Sequence, residues 1–108
     1  MTKIIYDPAS LTLRACGHAG AKGTGEYDLV CCGISTLMFS LAAALDAFDI
    51  RYESAVDQAT GYMSILAIPA RHSMQQCRTI YGTITAGLEL LAVKYPEYVH
   101  FDISEEVL

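Results

Sequence analysis

Four cysteines and three histidines are the side chains of this 108-residue chain best suited to nucleophilic or general-base chemistry, and several of them crowd into one stretch. His18 stands in Gly17-His18-Ala19, and Cys31 follows in Asp28-Leu29-Val30-Cys31-Cys32-Gly33-Ile34-Ser35, with glycines at 20, 23 and 25 between them. A thiol is a weak nucleophile until a neighbouring base takes its proton or the site stabilises the thiolate. An N-cap at Asp28 puts Cys31 in the first turn of the helix that follows, near its third position, where unpaired N–H groups and the macrodipole favour negative charge. His18 leaves the end of a strand, and a strand end commonly lies beside the start of the next helix. The imidazole is then placed to take the thiol proton or to pair with the thiolate. Residue type and position still leave a buried structural cysteine open as the plainer reading, because Cys is among the most buried residues and the pair has no recognisable third member.

Hydrophobic periodicity supplies the elements that position these groups. Residues 3–6 read as a short strand ended by the turn signal Asp7-Pro8-Ala9-Ser10, and residues 11–16 alternate apolar and polar, so the two form a hairpin. The glycines from 17 to 25 make that segment a loop. After Asp28 a helix is predicted over 29–48, with Cys31, Ile34, Leu37, Met38, Leu41, Leu45 and Phe48 at helical spacing. Residues 51–56 alternate again, residues 57–61 form a turn, and 62–68 are apolar enough for a central strand that Pro69 ends. A second helix over 73–94 stops before Pro96, and a last strand over 98–103 precedes an acidic, solvated tail with Glu105 and Glu106. The order ββαββαβ predicts one two-layer α+β domain over residues 1–108, a mostly antiparallel sheet with both helices on one face. The first helix is apolar over more than one face, so its excess is expected to pack on the second helix and to mark a subunit contact.

Composition narrows the function. At 53% hydrophobic residues and a mean hydropathy of +0.32, the chain buries a core of its own and is too short for two domains. Seven scattered basic residues and a net charge of −5 argue against direct binding of nucleic acid, whose phosphates demand clustered Lys and Arg. The most apolar stretch, 34–45, carries Ser35, Thr36 and Ser40 and is closed by Asp46, short of the ~20 apolar residues of a membrane span. Few cysteines and no charged segment leading into an apolar one at the start point to a reducing cytoplasm and free thiols.

Gly17-His18-Ala19, a glycine-bearing loop and Asp28-Leu29-Val30-Cys31-x-x-x-Ser35 at the head of an apolar helix resemble the Prp family, the ribosomal-processing cysteine proteases, also called YsxB-like proteins. The likeness extends over the whole chain in length and element order, with the motifs in residues 18–35. It implies a homodimeric cysteine endopeptidase that removes a short N-terminal extension from a large-subunit ribosomal protein precursor in bacteria such as Firmicutes. By motif position Cys31 matches the nucleophile and His18 the general base, while Asp28 and Ser35 match polar positions flanking the nucleophile. The segment 19–27, with Gly20, Gly23, Gly25 and Tyr27, matches a loop that orders over substrate. Cys32 departs from the family, where a small residue, usually Ala, follows the nucleophile. Adjacent helical residues point about 100° apart, so one thiol alone can face His18, and motif position favours Cys31.

The same residues admit other uses. Cys16, His18, Cys31 and Cys32 are four soft ligands without the paired Cys-x2-Cys spacing of structural zinc, so no metal is expected. The glycine loop matches neither Gly-x-Gly-x-x-Gly nor the Walker pattern, and Glu26 and Asp28 repel an anion, so no nucleotide or other cofactor is expected either. A non-catalytic relative that binds a ribosomal or other basic protein is the alternative, since an acidic domain attracts a basic partner either way. Asp28 as a plain cap, Ser35 bonded back to the Cys31 carbonyl, Tyr27 as a hydrophobic staple, Cys77 in the core, and His72 and His100 at the surface are the corresponding structural roles.

Overall fold

Alternation in the strands sorts their side chains onto two faces. In β1 (Thr2–Asp7), Thr2, Ile4 and Tyr6 are buried while Lys3 and Ile5 are exposed; in β2 (Thr12–Cys16), Leu13 and Ala15 are buried while Arg14 and Cys16 are exposed. These strands form the expected antiparallel hairpin, pairing Asp7 with Thr12 and Lys3 with Cys16. Between them Leu11 adopts φ 55, a conformation that tightens the turn and leaves its side chain buried. A second hairpin joins β3 (Arg51–Asp57) to β4 (Tyr62–Ile68) across the predicted turn, and β5 (Val99–Ile103) closes the sheet. The strand order is β3-β4-β2-β1-β5, antiparallel throughout except for the parallel β1–β5 pair. The computed structural model describes residues 1–17 and 25–104, with the backbone alone for 25–28. The predicted solvated tail at Glu105 and Glu106 lies outside the described residues.

Two helices cover the inner face: α1 (Gly25–Ala47) and α2 (Met74–Lys94), the latter entered through a 3-10 turn at Arg71–Ser73. Val30, Ile34, Met38, Leu41 and Leu45 of α1 and Cys77, Tyr81, Ile84 and Leu88 of α2 join Ile4, Leu13, Ile65 and Val99 of the sheet in one core. Tyr81 ties the layers together: its ring stacks on Tyr6 at 5.5 Å, and its hydroxyl donates to the Ile65 carbonyl at 3.3 Å. The helices run antiparallel and interlock through two glycines, since the Gly33 α-carbon faces Leu91 and the Gly87 α-carbon faces Leu37 so closely that an added Cβ would lie 3.2 Å and 3.1 Å from those side chains. The two-layer α+β fold and the order ββαββαβ are as the sequence predicts.

The ends of α1 differ from the expectation. The helix begins at Gly25, so Asp28 is its fourth residue and not the N-cap. Glu26 and Asp28 are residue types that a helix accepts, so the sequence does not forbid the earlier start. At the other end the helix stops at Ala47, one residue early, and Phe48 is exposed. Asp49 adopts φ 55; its N–H bonds to the Asp46 carbonyl at 3.1 Å and that of Ile50 to Leu45 at 2.9 Å. This is a Schellman closure with aspartate where glycine is usual, and the residues at its two ends, Leu45 and Ile50, both belong to the buried core. The apolar run also exceeds the predicted 34–45: Leu29–Ala47 is long and apolar enough to cross a membrane by composition alone. Its inner stripe is instead packed into the domain core.

Two consequences are measurable. Relieving the left-handed conformation by Asp49→Gly is expected to raise stability by about 0.5–1 kcal/mol, read from the urea midpoint. Burial raises the Tyr6, Cys77 and Tyr81 groups above their ordinary values of 10.0, 9.0 and 10.0, Tyr81 most strongly. The folded state then holds these protons more tightly than the unfolded chain, so stability is complete below about pH 9 and falls as pH rises beyond it. Urea midpoints across the alkaline range should show this fall, and Tyr81→Phe should flatten it.

Candidate active site

The second turn of α1 carries the thiol of interest. Cys31 is flanked on its helix by buried Val30 and Ile34 and is itself half-buried against the core. Because α1 starts at Gly25, Cys31 is the seventh helical residue and not about the third. The helix-end electrostatics expected at that position fade within one turn, so they contribute less here than the sequence suggested. Cys32, about 100° around the helix, is exposed and lies off the groove that Cys31 borders.

That groove has a volume of about 290 Å³. One wall is α1, through Cys31, Ile34, Ser35, Met38 and Phe39; the other is the β3–β4 hairpin, through Val56, Asp57, Gln58, Gly61, Tyr62 and Met63. Thr2, Ala15 and Gly17 close one side. Ser35 is one helical turn beyond Cys31 on the same face, as its spacing predicts, and its hydroxyl makes no hydrogen bond among the described residues. It does not bond back to the Cys31 carbonyl, and it opens on the groove.

Gly17 has a backbone that other residues adopt only with strain. Its φ is +93, an added Cβ would stand 2.7 Å from the Met1 carbonyl oxygen, and its own carbonyl accepts from Thr2 Oγ1 at 3.4 Å. The chain is therefore fixed at the groove one residue before His18. His18 itself, with Gly20, Gly23 and the rest of 18–24, lies outside the described residues. Of Gly25, Tyr27 and Asp28 the backbone is described, and it belongs to α1. The other two histidines are remote from the groove: His72 is exposed in the 3-10 turn, and His100 Nε2 lies 2.8 Å from Asp102 Oδ2 on the open face of the sheet.

The four thiols are free and occupy four environments. Cys77 is fully buried and its thiol is pushed up by that burial, which keeps it protonated. Cys16 points to the sheet face opposite the helices, so the sheet separates it from Cys31. A wider depression of about 470 Å³ between the end of α2 and β5 contains no thiol. The hairpin wall was missed at the sequence level, where 57–61 read only as a turn and Met38 as part of the helix's apolar packing surface. Its one signal was the predicted hairpin itself, which did not reveal which element its tip would face.

Comparison with known proteins bears on the whole chain. The family model described as cysteine protease Prp matches residues 1–100. Among solved structures, the essential ribosomal processing protease Prp of S. aureus with a covalently linked product peptide superposes with a TM-score of 0.81 at 19% identity, covering 96% of this chain and 100% of that one. The same protease with a substrate peptide gives 0.76 at 17% identity, covering 95% and 97%. SMU.848 of Streptococcus mutans gives 0.77 at 24% identity, covering 97% and 93%. No curated protein matches the chain. At these identities the structures establish a shared fold, and the family match over nearly the full length establishes the kinship: the chain belongs to the Prp family of cysteine proteases.

Proposed function

We propose that this protein is a cysteine endopeptidase with Cys31 as nucleophile and His18 as general base, which removes a short N-terminal extension from a large-subunit ribosomal protein precursor. The observation that carries the reading is the half-buried Cys31 thiol on a groove that Gly17, the residue before His18, also borders. The S. aureus relative is a ribosomal processing protease found with a covalently linked product peptide, which supports both the substrate class and a covalent intermediate. A net charge of −5 favours encounter with a basic ribosomal protein. Four free thiols suit a reducing cytoplasm.

The steps are those of acyl transfer. His18 takes the Cys31 proton, and the thiolate adds to the scissile carbonyl. Backbone N–H groups of the glycine-bearing segment 17–25 stabilise the resulting oxyanion. Collapse breaks the C–N bond, and the leaving amine takes the proton from His18. Water, deprotonated by His18, then attacks the thioester, which releases the carboxylate product and returns the proton to Cys31. Asp28 and Ser35 support the site, Ser35 from the groove wall.

The test is incubation with the precursor of that ribosomal protein from the same organism, read by mass spectrometry. Cys31→Ala should lower the cleavage rate at least about a thousandfold with folding intact, while Cys32→Ala should retain cleavage. Full activity in Cys31→Ala with loss in Cys32→Ala would reverse the assignment. Binding of the precursor without any cleavage by the unaltered protein would instead favour the non-catalytic reading.

A homodimer belongs to the same proposal. After the core stripe and the α2 contact are accounted for, α1 retains an exposed stripe containing Leu29, Cys32, Thr36, Phe39 and Ala43 beside the groove, with Leu29 66% and Phe39 58% exposed. A second copy placing the same stripe against it would bury both. Light scattering should give twice the chain mass, and Leu29→Asp should give a folded monomer; an unchanged dimer in that variant would move the interface elsewhere.

A further inference from the structure

The groove beside Cys31 is walled mainly by apolar side chains, yet it has one charged residue among its described lining: Asp57, at the tip of the β3–β4 hairpin. The carboxylate is held in place. Asp57 Oδ1 accepts the Ala59 N–H at 3.0 Å, the Asp57 carbonyl accepts Thr60 Oγ1 at 3.5 Å, and Gly61 at φ 68 completes the turn. No lysine or arginine pairs with it among the described residues. A pre-oriented carboxylate at the rim of an apolar groove attracts a cation more strongly than one on a flat polar surface, because low-dielectric walls focus its field and little ordering entropy remains to be lost.

We infer that Asp57 is a specificity residue, which selects polypeptides carrying a Lys or Arg side chain within a few residues of the peptide bond presented to Cys31. A groove of about 290 Å³ spans only a few residues of extended chain, each advancing about 3.3–3.6 Å, so a residue at its rim reads positions close to the reacting carbonyl. The net charge of −5 steers basic chains toward the molecule as a whole, whereas Asp57 fixes where along the bound segment the positive charge is read. This inference rests on the groove being the substrate site.

Binding separates it from the catalytic proposal. Fluorescein-labelled peptides of leucine, alanine and serine, with one position at a time replaced by Lys, Gln or Glu, are titrated against the Cys31→Ala protein by anisotropy. At one or two adjacent positions the Lys peptide should bind about fivefold more tightly than the Gln peptide, and the preference should shrink with added salt. Asp57→Asn keeps an oxygen acceptor for the Ala59 N–H and removes only the charge, so it should abolish the preference; Asp57→Lys should shift it to Glu. No binding, binding that is equal for the three peptides at every position, or a Lys preference that survives Asp57→Asn overturns the inference. Cleavage of the same peptides by the unaltered protein is scored separately. Selective binding without cleavage supports Asp57 and counts against the protease reading, and cleavage without charge selectivity does the reverse.

Discussion

The interlock of the two helices is the contact on which the site depends. Gly33 receives Leu91 and Gly87 receives Leu37, so each helix offers a notch to a leucine of the other. Two such contacts, spaced one turn apart along each helix, fix the axial register of α1 and also its rotation about its own axis. That rotation decides everything at the site. With Gly33 and Leu37 turned to α2 and Ile34 and Leu41 turned to the sheet, Cys31 and Ser35 are carried to the groove and Cys32 to solvent. A rotation of one residue, about 100°, would bring Cys32 to the place Cys31 occupies and carry Cys31 away from the groove.

Placing a nucleophile on a packed helix has a physical advantage over placing it on a loop. Val30 and Ile34, buried on either side of Cys31, hold its backbone, and the thiol itself touches the core. Its rotamer is therefore confined before any substrate arrives, which lowers the entropic cost of reaching an attack geometry. The opposite wall is a hairpin tip, whose turn residues tolerate replacement more readily than the helix does. One side of the groove is suited to hold the chemistry constant and the other to set which chains are accepted.

Much of this was legible in the sequence because strand alternation and helix periodicity are local properties. The strand at 62–68 and the second helix were readable from Ile65 and Ala67 in one and from Cys77, Tyr81, Ile84 and Leu88 in the other, all of which are buried. The start of α1 was not, since Glu26, Tyr27 and Asp28 suit a helix as well as a turn, and Asp28 has the right chemistry for a cap it does not form. Its end was legible to within one residue, since the Phe48 N–H still bonds to the Ala44 carbonyl, but the closure at Asp49 was not, because aspartate fills a position at which glycine is the usual signal. The groove depends on a hairpin tip, Val56 to Met63, meeting the Cys31 to Phe39 face of a helix well separated from it in sequence, and no local pattern encodes that meeting. His18 was singled out by its neighbours in sequence, and the described structure extends to Gly17 beside it.

The parallel pairing of β1 with β5 has an effect on the order of assembly. Thr2 aligns with Val99 and Tyr6 with Ile103, so the first and last strands share an edge. Every other neighbouring pair in the sheet can form once β4 has been made, but β1 keeps one bare backbone edge until residue 103 has been synthesised. While the chain is still on the ribosome, Ile4 and Tyr6 stand on an open strand next to the nascent hairpins. Contacts that span nearly the whole chain slow folding and leave such an edge free to pair with other chains meanwhile. The last strand is thus the cap that ends this exposure.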